Sequence, residues 1–245
     1  MASYLEACGI SMGDRLLGAG IGNELGHFED MEFLEFHKDL LRENKTDMYG
    51  CQRQLVVPGV YRDRALSILN RRNSKYNLWG WKEPRTTLFL PFWFQLDQNV
   101  KFIFLYRDPY EVTKSLYRRM KLKYLFLQPW KAPLSWIRYN GALIDFVENY
   151  SRMADCAVVS LSGFIANPED GRSKLSHWLG VELNVPFADF YRPQHMNRRS
   201  SGWRERLIRA YMWLVKATLD RRFQSMYKQL EQLAEIPSSA VGKGT

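Results

Sequence analysis

The strongest constraint on the fold lies in residues 100–115, VKFIFLYRDPYEVTKS. Residues 100–106 form a β-branched and aromatic run without apolar/polar alternation, the pattern of a buried strand in a parallel sheet. The run stops at Arg107. Asp108 can cap a helix that follows, and Pro109 suits the first helical position, where its missing N–H leaves nothing unsatisfied. The stretch therefore predicts a strand, a one-residue exit and a helix. Arg107 stands at the carboxyl end of the strand, where open α/β sheets bind ligands, and Ser115 lies two turns into the helix. An Arg fork, a hydroxyl and the positive end of a helix dipole converging on one place form a receptor for a phosphate group. The plainer alternative is a helix-start salt bridge and a solvated hydroxyl.

The charge balance agrees with an anionic ligand. The 245 residues carry 35 Lys and Arg against 26 Asp and Glu, a net charge of +9, which suits an anionic cofactor, an acidic surface or nucleic acid. No Asp or Glu occurs in residues 112–144, whereas Lys114, Arg118, Arg119, Lys121, Lys123, Lys131 and Arg138 do. The three cysteines, Cys8, Cys51 and Cys156, are far apart and odd in number, which argues against a disulfide framework or a zinc site and for a reducing compartment. No span approaches transmembrane length and no signal-like start is present, so the expected location is the cytoplasm.

The rest of the chain alternates helices and short strands. Helices are expected over 30–43, 58–72, 86–95 and 134–150, and strands over 78–82 and 157–161. A helix after Asn167-Pro168 should stop at Gly180, and apolar residues recur at helical spacing from Leu207 to Leu233. Gly18-Ala19-Gly20-Ile21-Gly22 follows no strand and fits neither the dinucleotide fingerprint nor a P-loop, so residues 11–25 read as a loop. Residues 122–133, aromatic and basic, are expected to line a substrate approach. His37 and His177 fall on helices with no second ligand at metal spacing. The expected organisation is an α/β domain over 1–200, an amphipathic helical segment over 201–235 and a disordered Ser/Gly-rich tail over 236–245.

Arg107, Asp108-Pro109 and Ser115 at this spacing resemble the 3′-phosphate-binding motif of the sulfotransferases that use 3′-phosphoadenosine 5′-phosphosulfate (PAPS). Two further blocks, in the family's order, extend the resemblance over residues 5 to about 180. Trp79-Gly80-Trp81-Lys82-Glu83-Pro84-Arg85-Thr86 is similar to a Lys-acid-Pro-Arg segment of bacterial sulfotransferase-like proteins and, more loosely, of the tyrosylprotein enzymes. Gly26-His27-Phe28-Glu29-Asp30, followed by an apolar-periodic helix over 31–41, resembles the segment after the family's first helix. The resemblance implies a P-loop-type parallel sheet flanked by helices and transfer of a sulfuryl group from PAPS to a hydroxyl acceptor.

The family opens with a strand and a Gly-rich loop ending in Ser-Gly-Thr, which holds the 5′-phosphosulfate. Here Met1 falls where the family is already inside its first helix, so residues 2–8 read as the tail of that helix and Gly9 as its stop. The fold is expected to be truncated at its first strand, either because the true start lies upstream or because this is a reduced member. That strand would lie in mid-sheet, so its loss leaves unpaired edges on its neighbours.

Sulfuryl transfer requires a base for the acceptor and a cation for the leaving phosphate. The resemblance implies Glu29 as base, with His27 as runner-up because imidazole titrates near neutral pH. It implies Lys82 as the cation at the sulfuryl oxygens. The alternatives are that Asp30 caps a helix beside an exposed Glu29, and that Lys82 is a surface residue next to two Trp faces. Arg85 steadies the site, reaches a phosphate or forms an ordinary salt bridge. Arg198 and Arg199 lie where late basic residues of the family reach the 3′-phosphate, or are simply solvated. The expected ligands are PAPS and 3′,5′-adenosine bisphosphate, with a glycan, lipid or peptide hydroxyl as acceptor. Two other readings stay open: a non-catalytic binding module for an adenosine bisphosphate or another anion, and an interaction protein whose basic C-terminal helix docks on acidic membrane. Nucleic acid ranks lower as a partner, and a homo-oligomer fits a dimerising helix.

Overall fold

The computed structural model describes residues 1–18, 28–49, 55–190 and 202–236. The elements in chain order are α1 (Ala2–Ala7), α2 (Met31–Glu43), α3 (Val60–Lys75), a 3-10 turn (Pro84–Phe89), α4 (Leu90–Leu96), β1 (Lys101–Tyr106), α5 (Pro109–Arg119), α6 (Leu122–Leu127), α7 (Lys131–Tyr150), β2 (Asp155–Ser160), α8 (Leu161–Ala166), α9 (Pro168–Leu179), a second 3-10 turn (Phe187–Asp189) and α10 (Trp203–Leu233). The architecture is mixed α/β: β1 and β2 pair in parallel, from Lys101 opposite Asp155 to Tyr106 opposite Ser160, with helices around them. Val159 also bridges to Ile236, so the segment after α10 lies along the second edge of β2. Among the described residues no strand pairs with the outer edge of β1.

The junction between β1 and α5 forms as its residues dictate. The Asp108 carboxylate accepts hydrogen bonds from the Tyr110 and Glu111 N–H groups, both at 2.9 Å, and Pro109 occupies the first turn. Asp108→Ala is expected to lower the unfolding free energy by about 1 kcal/mol, the usual cost of a lost N-cap, measurable by urea titration. The Arg107 carbonyl is held by the Trp136 indole N–H at 3.1 Å, which fixes the strand exit against α7.

Two expectations about strands are corrected. Residues 78–82 are no strand: a single bridge joins Ser11 to Trp79, with the Gly80 N–H donating to the Ser11 carbonyl at 2.9 Å. Nor is β1 buried on both faces. Phe102, Phe104 and Tyr106 face the core, while Lys101 and Leu105 are exposed. The core face packs with Phe146 of α7 and with the buried stripe of α10, whereas α1, α8 and α9 cluster on Val159 of β2 and reach β1 only at Ile103. The helix expected over 86–95 also divides, because Pro91 has no N–H to donate and crowds the preceding turn, so α4 begins afresh at Leu90.

α10 joins this core directly. Ile208, Val215, Phe223 and Leu230 are buried. The Tyr106 hydroxyl donates to Glu231 at 2.5 Å, and Tyr110 donates to Asp220. One Arg204 nitrogen donates to the carbonyls of Tyr117 and Arg118, at 3.1 and 3.0 Å, and to that of Met120, supplying partners for the end of α5. The stripe from Leu207 to Leu233 is thus a core-packing stripe. Of the tail over 236–245, expected to be disordered, Ile236 is instead buried and bridged to Val159, and residues 237–245 lie outside the described residues.

Candidate functional site

Residues 15–17 pair with residues 28–31, through Leu17 N–H to the Glu29 carbonyl at 2.7 Å and Met31 N–H to the Arg15 carbonyl at 2.9 Å. This fixes the backbone of Glu29 against residues 15–17. The neighbouring Phe28 has a φ of 50°, a left-handed conformation uncommon for a residue with a large side chain. Asp30 caps α2 by accepting from the Glu32 N–H at 2.8 Å, as the plainer alternative expected. It is also buried and paired with Arg72 at 2.9 Å. Arg72 reaches Asp14 and, at 3.3 Å, Glu32 as well. Burial pushes the Asp30 carboxyl up, opposed by the Glu32 N–H and by Arg72. Gly13 has a φ of +139°, and a Cβ there would collide with the Asp30 carboxylate, so only glycine fits.

Glu29 is no exposed loop acid. It is only 9% exposed and accepts from Lys82 Nζ at 2.7 Å, so the base and the cation implied by the resemblance, 53 positions apart, meet as an ion pair. Lys82 keeps 38% of its side chain accessible and can face a ligand while holding Glu29.

Behind this pair lies a group that sequence reasoning missed. Glu83, extended before Pro84, directs its side chain into the core, where Arg85 pairs with one carboxylate oxygen. The other, Oε2, lies 3.2 Å from His37 Nδ1. The Trp93 indole N–H donates to His37 Nε2 at 3.0 Å, so the ring proton resides on Nδ1 and goes to the Phe33 carbonyl at 2.7 Å. Oε2 thus receives no hydrogen bond. Burial pushes the Glu83 carboxyl up to about 7, against the pull of Arg85 and with a further push from Glu29. Burial holds the His37 imidazole down at about 3. Arg85 is therefore a salt-bridge residue turned toward Glu83.

At the other end of the site, Arg107 pairs with Glu111 at 3.2 Å, the helix-start bridge of the plainer alternative, and keeps 33% of its side chain accessible. Glu111, Ser115 and Arg119 succeed one another every four residues along one face of α5. Arg119 Nε donates to the Ser115 carbonyl at 3.4 Å. Arg119 was not singled out from sequence, although its spacing of four from Ser115 was available. Although the side chain is exposed, desolvation by the surrounding protein first, then the neighbouring Arg107 guanidinium, hold its pKa below the usual value, while Tyr49 and Glu29 act in the opposite sense. Arg119 thus lies within electrostatic reach of both Arg107 and Glu29.

His27, Arg198 and Arg199 lie outside the described residues. Among the described residues no cluster of three or more His, Cys, Asp and Glu side chains could hold a metal, and no helix is long and apolar enough to cross a membrane. Cys8 and Cys156 are free thiols, and burial pushes that of Cys156 up to about 11. No protein-family model, curated protein or solved structure matches this chain.

Proposed function

We propose that the chain is a sulfotransferase that moves a sulfuryl group from PAPS to a hydroxyl acceptor, with the β1–β2 pair and α5 belonging to a P-loop-like sulfotransferase sheet. One observation carries the reading: Arg119 feels the charges of both Arg107 and Glu29, so the phosphate motif and the Glu29–Lys82 pair share one electrostatic neighbourhood. The residues fit a 3′-phosphate. An anion shared by the two guanidinium groups relieves the repulsion that Arg119 feels from Arg107, and the Ser115 hydroxyl is one turn away on the same helix face. In this reading Arg107, Ser115 and Arg119 bind the 3′-phosphate. Glu29 exchanges Lys82 for the acceptor hydroxyl and takes its proton, and Lys82 Nζ turns to the negative charge at the sulfuryl end. PAPS supplies the SO₃ group and a phosphate as the leaving group.

The test is a calorimetric titration of the full chain with 3′,5′-adenosine bisphosphate. Binding is expected for the wild type, with a loss of about tenfold to a hundredfold in Arg107→Ala and Arg119→Ala, the range of one charged hydrogen bond. A folded wild type that binds no bisphosphate overturns the reading. The 2.7 Å ion pair also favours a second reading, because it leaves Glu29 and Lys82 neutralising each other: a binding module that takes the bisphosphate and transfers nothing. A sulfate-transfer assay with PAPS and an aryl hydroxyl separates the two.

A further inference from the structure

The outer side of α10 exposes large apolar side chains. Trp213 is 72% exposed and Trp203 57%. Trp203 stacks on Phe126 of α6, the rings 6.0 Å apart and 15° from parallel, and Leu127 beside it is 80% exposed. Trp130, just beyond α6, lines a cleft with Leu214. Side chains of this size in one region of surface mark an interaction site. The buried stripe of α10 faces the opposite way, so this surface is the outer side of the helix and not its core-packing stripe.

The charges around it have one sign. Arg209 and Lys216 flank Trp213 at helical spacing, Arg206 lies one turn from Trp203, and Lys121 and Lys123 flank Leu122; all are exposed. The acids of this half of α10 are turned to α5: Glu205 pairs with Arg118 at 2.9 Å and with Lys114 at 3.6 Å, and Asp220 accepts from Tyr110. No described carboxylate pairs with Arg206, Arg209, Lys216, Lys121 or Lys123.

We propose that this surface binds the face of an anionic lipid bilayer, with Trp203, Trp213, Phe126 and Leu127 entering the interfacial layer while the surrounding cations meet lipid phosphates. Aromatic and leucine side chains ringed by Lys and Arg suit that boundary. A symmetric contact between two copies would set two positive rims against each other. Exposed leucines contribute nothing to base stacking, so nucleic acid fits less well.

Flotation of the full chain with vesicles of equal parts phosphatidylcholine and phosphatidylglycerol tests this, with pure phosphatidylcholine as the control. The protein is expected to float with the anionic vesicles alone. Trp213→Ser combined with Phe126→Ser should weaken binding about tenfold or more with an unchanged circular dichroism spectrum, since both side chains are exposed. Arg206→Glu combined with Lys216→Glu should abolish it. No flotation with anionic vesicles overturns the proposal, as does flotation indifferent to loss of the aromatic pair. A concentration-dependent dimer, or an oligonucleotide complex, that those same substitutions dissolve in place of vesicle binding would overturn it too.

Discussion

Arg72→Leu is expected to lower the unfolding free energy by about 3–5 kcal/mol, the cost of removing one partner from a buried ion pair. The guanidinium is 4% exposed and stands among Asp14, Asp30 and Glu32. Without it Asp30, 1% exposed and already disfavoured as an anion by burial, loses its paired cation and keeps the backbone N–H groups of Glu32 and Phe33. Arg72→Lys retains one charge but not the fork that reaches several carboxylates together, so its loss should be smaller yet clear. Urea titrations of the three proteins decide the matter. A loss below about 1 kcal/mol in Arg72→Leu, the range of exposed pairs, would mean that the acids are solvated and the cluster does not hold the start of α2. Because Asp30 follows Glu29, the same substitution should also loosen the Glu29–Lys82 pair.

The second large effect is a pH dependence. Glu83 titrates near 7 in the folded protein against an ordinary 4.5. Between those values the folded state binds a proton that the unfolded state has released, so Glu83 makes stability fall as pH rises, and the loss is complete above about 7. His37 works in the opposite direction. Its folded value of about 3 against 6.5 means that the unfolded chain takes a proton the folded protein refuses, so stability falls as pH drops below 6.5. From 4.5 to 6.5 the two slopes, each about 1.4 kcal/mol per pH unit, oppose and largely cancel. Glu83→Gln leaves only the His37 slope. Relative to wild type, the variant should gain about 2–3 kcal/mol between pH 4.5 and 6.5. Urea titrations at both values test this, and a difference independent of pH would show that Glu83 is ionised throughout.

What could be read from the sequence, and what could not, follows from the range of the forces involved. The strand, cap and helix around Asp108 were legible because each step is local: an apolar run, a carboxylate within reach of two N–H groups, a proline where no N–H is needed. The same holds for α9, which ends at Gly180 with a φ of 72°. The exposed face of β1 was not legible, since whether Leu105 is covered depends on where α1, α8 and α9 pack. Residues 78–82 carry the aromatic composition of a strand, yet a lone bridge to Ser11 is their only strand-like pairing among the described residues. Glu83 and His37 lie 46 positions apart and meet only through tertiary packing. One local signal was there: successive side chains of an extended segment point opposite ways, so if Lys82 faces the site, Glu83 must face the interior. The meeting of Glu29 with Lys82 could be anticipated only from the resemblance, because 53 residues separate them.

The grip of Arg204 on the end of α5 has a mechanical consequence. The carbonyls it holds belong to Tyr117, Arg118 and Met120, and Arg119 lies between the last two. The start of α10 and the basic centre of the candidate site therefore behave as one lever. A load applied to the outer side of α10 near Trp203 would bear on Arg204, and through it on the backbone that carries Arg119.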